Sequence, residues 1–211
     1  MRSIISTFLF SIFVCSNSFA QLSSDKIFES FKQGERTNCS SIAFIKAALN
    51  IYGLDNLFIT EKANDSLYKI TLKNNASFSL TKDELSKAKF SAGFVFIKAN
   101  EESEKIKDYA VLAYAVMAKY KQIIDKHDTF MHALDDLEDG EVYTPTIYKY
   151  LGFEKGKQIQ TLKRSSGSEF CGVVAWSKAH AVFVCEDFMD YYGNKKSIWQ
   201  KYPGRFRVIK S

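Results

Sequence analysis

The 211-residue chain predicts an α+β protein, and three observations carry that expectation. Apolar positions recur at three- and four-residue spacings from Ser40 to Tyr52, the period of a helix that buries a face. Two apolar, β-rich runs, Phe170 to Trp176 and Ala181 to Cys185, flank the polar connection Ser177-Lys178-Ala179 and read as a hairpin. There are only two prolines, Pro145 and Pro203, with no low-complexity run, repeat or long linker, so a single domain is expected after the leader.

The leader is residues 1–20. Arg2 precedes the apolar stretch Ile4 to Cys15, and Ser18-Phe19-Ala20 has the small-x-small form that signal peptidase accepts. That stretch is too short to span a membrane, and no later segment is long and apolar enough to do so. A lipid anchor on Cys15 is disfavoured because Val14 is larger than that cleavage site usually takes. The expectation is a secreted or periplasmic protein beginning at Gln21, with one domain over 21–211 and no integral membrane segment. Removing Arg2 lowers the net charge from +5 to +4.

The first helix follows from Ile42, Phe44, Ile45, Ala48, Leu49 and Tyr52, and Gly53 ends it. Leu67 to Leu80 has a strand-turn-strand pattern. Glu101-Glu102-x-Glu104 reads as the solvated start of a helix rather than a calcium site, and Thr129 to Leu137 is helix-like. Tyr143 to Leu151, followed by Gly152 and Gly156, reads as a short helix leading into the sheet. Phe206-Arg207-Val208-Ile209 alternates and is expected at a sheet edge.

Three cysteines survive cleavage, Cys39, Cys171 and Cys185, and an odd number in an oxidising compartment leaves one thiol over. With the hairpin centred on Lys178, facing positions sum to 356, so Cys171 and Cys185 oppose each other, as a cross-strand disulfide or as two packed thiols. Cys39 has no evident partner. It stands where the helix begins, and the unpaired N–H groups and partial positive charge of a helix N-terminus favour a thiolate. A buried structural cysteine is the plainer alternative.

A nucleophilic thiol needs a base, and the chain has three histidines. His127 lies in a charged stretch and His132 in a helix-like run, and both read as surface or satisfied structural residues. His180 opens the apolar strand Ala181 to Cys185, which places its ring at the rim of a sheet. Cys39 facing His180 would make a thiolate–imidazolium pair.

Glutamine six residues before a cysteine that opens a long helix, with a late His-Ala-aliphatic strand, resembles the papain-like cysteine peptidases. The Gln33-Gly34 start, the segment Leu67 to Leu85, the Ala- and Tyr-rich Asp108 to Lys121, and the run His132 to Gly140 are most similar to the calpain-like branch. The likeness spans Phe28 to Tyr202. It implies a two-lobed fold, with a helical lobe around a central helix and a C-terminal antiparallel sheet lobe.

Carried over by residue, the resemblance makes Cys39 the nucleophile and His180 the base and later acid. The Gln33 amide and the Cys39 backbone N–H become the oxyanion donors. The third group should lie on the strand hairpinned to that of His180. With Met189 to Asn194 as the turn and Ser197 to Tyr202 returning, Gln200 comes opposite His180; Asn194, Asp187 and Asp190 are the alternatives, nearer the turn. The chain departs from the pattern at Ser40, at Thr37-Asn38 and in having no recognisable Asn-Pro-Trp-Gly-like segment after His180.

No cofactor or metal is expected, because the histidines and cysteines lack ligand spacing and no glycine-rich phosphate loop occurs. Lys155, Lys157, Lys163 and Arg164 form a basic patch without interleaved aromatics, which points away from nucleic acid. The expected partner is a peptide or protein substrate. Only Leu22 to Phe31 precede Gln33, too little for an inhibitory pro-segment, so restraint would come from narrow specificity or from a separate inhibitor or partner protein. The expected activity is that of an exported thiol-dependent peptidase; the alternative is an inactive papain-like domain that binds a peptide or protein.

Overall fold

The longest run of buried positions among the described residues lies in the helix whose start carries Cys39. In the computed structural model, which describes residues 22–138, 144–163, 169–198 and 202–210, every residue from Ser41 to Asn50 is buried. The helix formed there, α2 (Cys39–Tyr52), ends at Gly53, whose φ of 77° and N–H bond to the Leu49 carbonyl close it as expected. A helix buried on every side must be enclosed, and this one is covered by other helices on one side and by a sheet on the other.

The helical side comprises α1 (Ser24–Ser30), α3 (Lys82–Ala92), α4 (Glu101–Ile124), α5 (Phe130–Glu138) and a 3₁₀ helix, Thr144–Leu151. Local chemistry sets their starts. The side chain of Thr81 accepts from the Glu84 N–H and Glu84 answers as a capping box for α3, and the Asn100 side chain accepts from the Ser103 N–H ahead of the acidic first turn of α4.

The first half of the chain also holds two small sheets. β1 (Phe31–Lys32) pairs with β5 (Val95–Phe96), and β2 (Ile59–Asn64), β3 (Leu67–Thr71) and β4 (Ser77–Thr81) form an antiparallel meander. The last two match the strand-turn-strand pattern read from Leu67 to Leu80, while β2, exposed throughout, gives no alternating signal.

The main sheet is built from β6 (Ile159–Thr161), β7 (Val173–Trp176), β8 (Ala181–Cys185), β9 (Phe188–Tyr191), β10 (Asn194–Ser197) and β11 (Gly204–Val208). Its order is β10-β9-β8-β7-β11-β6, and every neighbouring pair is antiparallel. Val174, Ala181, Phe183, Cys185, Phe206 and Val208 join the core around α2. Val173, Ala175, Val182, Val184 and Met189 pack with Tyr202 in a second cluster, as the period-2 alternation of strands requires.

Three sequence expectations are corrected. β11 is not an edge strand, because it lies between β7 and β6. The β7–β8 ladder pairs Val173 with Val184, so facing positions sum to 357, not 356. A regular continuation would put Gly172 opposite Cys185; Gly172 instead adopts φ 70°, and Cys171 and Cys185 are joined as a disulfide. Finally, Met189 to Asn194 is not one turn. Glu186-Asp187 and Tyr192-Gly193 each make a two-residue turn with both residues at positive φ, and β9 runs between them.

Gly204 is required by a close approach rather than by its backbone angles. A side chain there would meet the indole of Trp176 on the neighbouring strand, which itself packs on Phe206. Gly204→Ala is expected to destabilise the fold by about 1–3 kcal/mol, the usual cost of overpacking, with urea unfolding as the measurement.

Candidate active site

The site begins in the loop between β1 and α2. At Gly34 any side chain would run into the Gly93 carbonyl, so glycine lets this loop lie against the end of α3. The Gln33 side-chain amide donates to the Arg36 carbonyl, the Arg36 guanidinium pairs with Glu138 at 2.9 Å, and the Thr37 hydroxyl donates to the Glu138 carbonyl. Buried Asn38 donates through Nδ2 to the Ala92 carbonyl at 2.9 Å. The loop is therefore tied to α3 and α5 before the chain turns into α2.

Asn38 is the residue ahead of α2, yet its side chain makes no capping bond. The first intrahelical bond is the Ile42 N–H to the Asn38 carbonyl at 3.1 Å, which leaves the N–H groups of Cys39, Ser40 and Ser41 outside the helical ladder. Cys39 is half-buried and free. The Ser40 hydroxyl lies 2.6 Å from that of Thr144, which ties the helix start to the 3₁₀ helix.

His180 closes the turn from β7 into β8, where the Ser177 N–H bonds the His180 carbonyl at 2.9 Å. Its ring stacks on Tyr192, with centroids 4.4 Å apart and planes 14° from parallel, and meets Tyr191 edge-on at 6.0 Å. Its Nε2 is buried with no hydrogen-bond partner among the described residues. Burial pushes its pKa below the ordinary value, against an opposing pull from the charge of Asp190. The resting imidazole therefore favours its neutral, proton-accepting form.

Gln33, Cys39 and His180 come together across the gap between α2 and the main sheet. They line a tight crevice of about 20 Å³ with Asp190, Tyr192 and Gly193, and a wider recess of about 280 Å³ with Thr37, Ser40, Ser177 and Lys178. A larger cavity of about 530 Å³ lies elsewhere, between β3, α3 and α4, and contains none of these three. Gln200 lies outside the described residues.

Two residues at the site, Lys46 and Tyr192, have no role in the sequence reading, and a third, Asp190, enters it only as an alternative to Gln200. Asp190 was placed too near a turn, but the two flanking turns put it on β9, beside the strand that His180 opens. Its carboxylate binds Lys46 Nζ at 2.6 Å through Oδ2 and accepts the Gly193 N–H at 2.8 Å through Oδ1. Lys46 is fully buried on α2, and burial depresses its pKa although Asp190 opposes the shift. A single lysine inside the apolar run Ile42 to Leu49 is a signal that could have been read, since buried lysines need partners. Tyr192 had no such signal.

The other histidines lie apart from this site. His127 sits 3.0 Å from Asp136, which also pairs with Lys121, and packs against the His132 ring at 4.6 Å with the planes tilted by 55°. Cys171, Cys185 and Glu186 lie close together, but the disulfide occupies both thiols.

With this geometry in place, comparison with protein-family models, with curated proteins and with solved structures returns no match.

Proposed function

We propose that this chain is a thiol-dependent acyl-transfer enzyme, a peptidase of papain-like, calpain-like design that is exported by its leader and acts on peptide or protein substrates. The observation that carries the reading is the convergence of Cys39, at the uncapped start of α2, with His180 and Gln33 on the same two recesses.

The steps follow from that arrangement. His180 takes the proton of the Cys39 thiol as sulfur attacks the carbonyl carbon, and the oxyanion is met by the Cys39 N–H and by the hydrogen of the Gln33 amide not given to Arg36. His180 then gives its proton to the leaving amine, and the acyl-sulfur bond is broken by water that His180 deprotonates. Asp190 supplies the negative charge that favours the imidazolium as it forms.

One observation favours a second reading, an inactive binding domain: both carboxylate oxygens of Asp190 are engaged by Lys46 and Gly193. Iodoacetamide labelling of Cys39 separates the two. Wild type is expected to label about a hundredfold faster than His180→Ala near neutral pH, well below the ordinary thiol pKa of about 8.5. Equal rates would sink the enzyme reading.

The pH dependence has a definite sign. His180 titrates below its ordinary 6.5, so its neutral form persists into mildly acidic solution, and the acid limb of labelling should lie below pH 6.5. A limb above that value would mean that the imidazole is not buried in the working protein.

A further inference from the structure

Tyr192 is an unlikely residue for the place it occupies. It is the first of the two residues in the β9–β10 turn, with φ 53°, followed by Gly193 at 84°. In such turns both central residues have positive φ, a region that asparagine, aspartate and glycine accept and a bulky aromatic resists. Its ring does not bury itself in the core either, since Tyr192 remains 47% exposed. A strained, partly exposed aromatic is held in place by the structure around it, and such strain gathers where a side chain must be aimed.

What it is aimed at is His180. The two rings lie nearly parallel at 4.4 Å, and Tyr192 lines both recesses that hold Cys39. Burial, and after it a negative charge at Cys39, raise the pKa of the Tyr192 phenol, which puts that phenol within electrostatic reach of the sulfur.

The turn itself is anchored from α2. Lys46 holds Oδ2 of Asp190, and Oδ1 of Asp190 holds the Gly193 N–H. Gly193 also packs where a side chain would strike Lys32, so the turn is pressed against β1. The helix that presents Cys39 at its start thus also fixes, through a buried ion pair, the turn whose aromatic ring lies on His180.

We propose that Tyr192 is a positioning residue: its strained turn, anchored by Lys46 and Asp190, lays its ring on one face of the His180 imidazole and fixes that ring relative to Cys39. This rests on the thiol-enzyme reading for its catalytic consequence, but the hold on His180 is a property of the fold. Among the described residues, the charged and titratable groups around the imidazole are Cys39 on α2, Lys178 in the β7–β8 turn, Asp190 and Tyr191 on β9, and Tyr192 in the β9–β10 turn.

The test compares Tyr192→Asn with Tyr192→Phe in the full mature chain. Asparagine suits the turn and removes the ring, so the variant should have a Tm equal to or above wild type. Cys39 labelling by iodoacetamide should nonetheless fall about tenfold to a hundredfold, the scale of a misplaced catalytic group. The His180 imidazole, followed by NMR titration, should move up towards its ordinary pKa as water reaches the uncovered face. Tyr192→Phe keeps the ring and should restore both readouts to near wild type. The proposal is overturned if Tyr192→Asn leaves labelling and titration unchanged, if it lowers Tm and labelling together as a turn with only a structural role would, or if Tyr192→Phe behaves like Tyr192→Asn. Should His180→Ala leave labelling unaltered, the enzyme reading falls separately. The NMR titration would still decide whether Tyr192 holds the imidazole.

Discussion

Cys39→Ser is expected to lower turnover of a cleaved peptide by about a thousandfold or more while leaving the fold intact. The hydroxyl replacing the thiol is far less acidic and less nucleophilic, and His180 as arranged here is matched to a thiol proton. Cys39 is only half-buried and serine is well tolerated at a helix start, so unfolding free energy should change by no more than about 0.5 kcal/mol. Steady-state kinetics on a peptide found by library screening, with urea unfolding alongside, separates the two effects. A serine variant with undiminished turnover would place the chemistry elsewhere on the protein.

Lys46→Met is expected to have the largest effect on stability, a loss of about 3–5 kcal/mol. The methionine preserves the packed stem of the side chain but leaves the buried Asp190 carboxylate without its cation. Breaking one side of a buried pair is costly because the remaining charge has neither water nor partner. Adding Asp190→Asn removes that charge while keeping an oxygen for the Gly193 N–H, so the double variant should regain much of the loss. Chemical denaturation of wild type and both variants measures this directly. If Lys46→Met alone cost under about 1 kcal/mol, the carboxylate would have to be neutral or hydrated rather than ion-paired.

The same ion pair shows where sequence reasoning stops. The span and end of α2 were legible because apolar spacing and the Gly53 cap act within a few residues. The hairpin into His180 was legible to within one position, since apolar strands bracket a short polar turn. The one-residue difference arises at Gly172, where a positive φ breaks the ladder beside Cys171. β9 was missed because each bounding turn opens on a residue at positive φ, Glu186 or Tyr192, whose local preference does not announce such a turn. β11 is flanked on both sides because β6 pairs with it, a partnership between residues far apart in the chain.

By itself, then, the sequence determined the helix that carries Cys39, the strand that His180 opens, the order of both behind Gln33, and the α+β class. These follow from periodicity, caps and turns, which are local. Only the tertiary structure decided that Lys46 finds Asp190 across 144 positions, that Asp190 pins the turn at Gly193, and that Tyr192 lies on His180. Those contacts exist because burying an ion pair and an aromatic stack becomes favourable only after the sheet and α2 have closed on each other, a condition that no short stretch of residues can express.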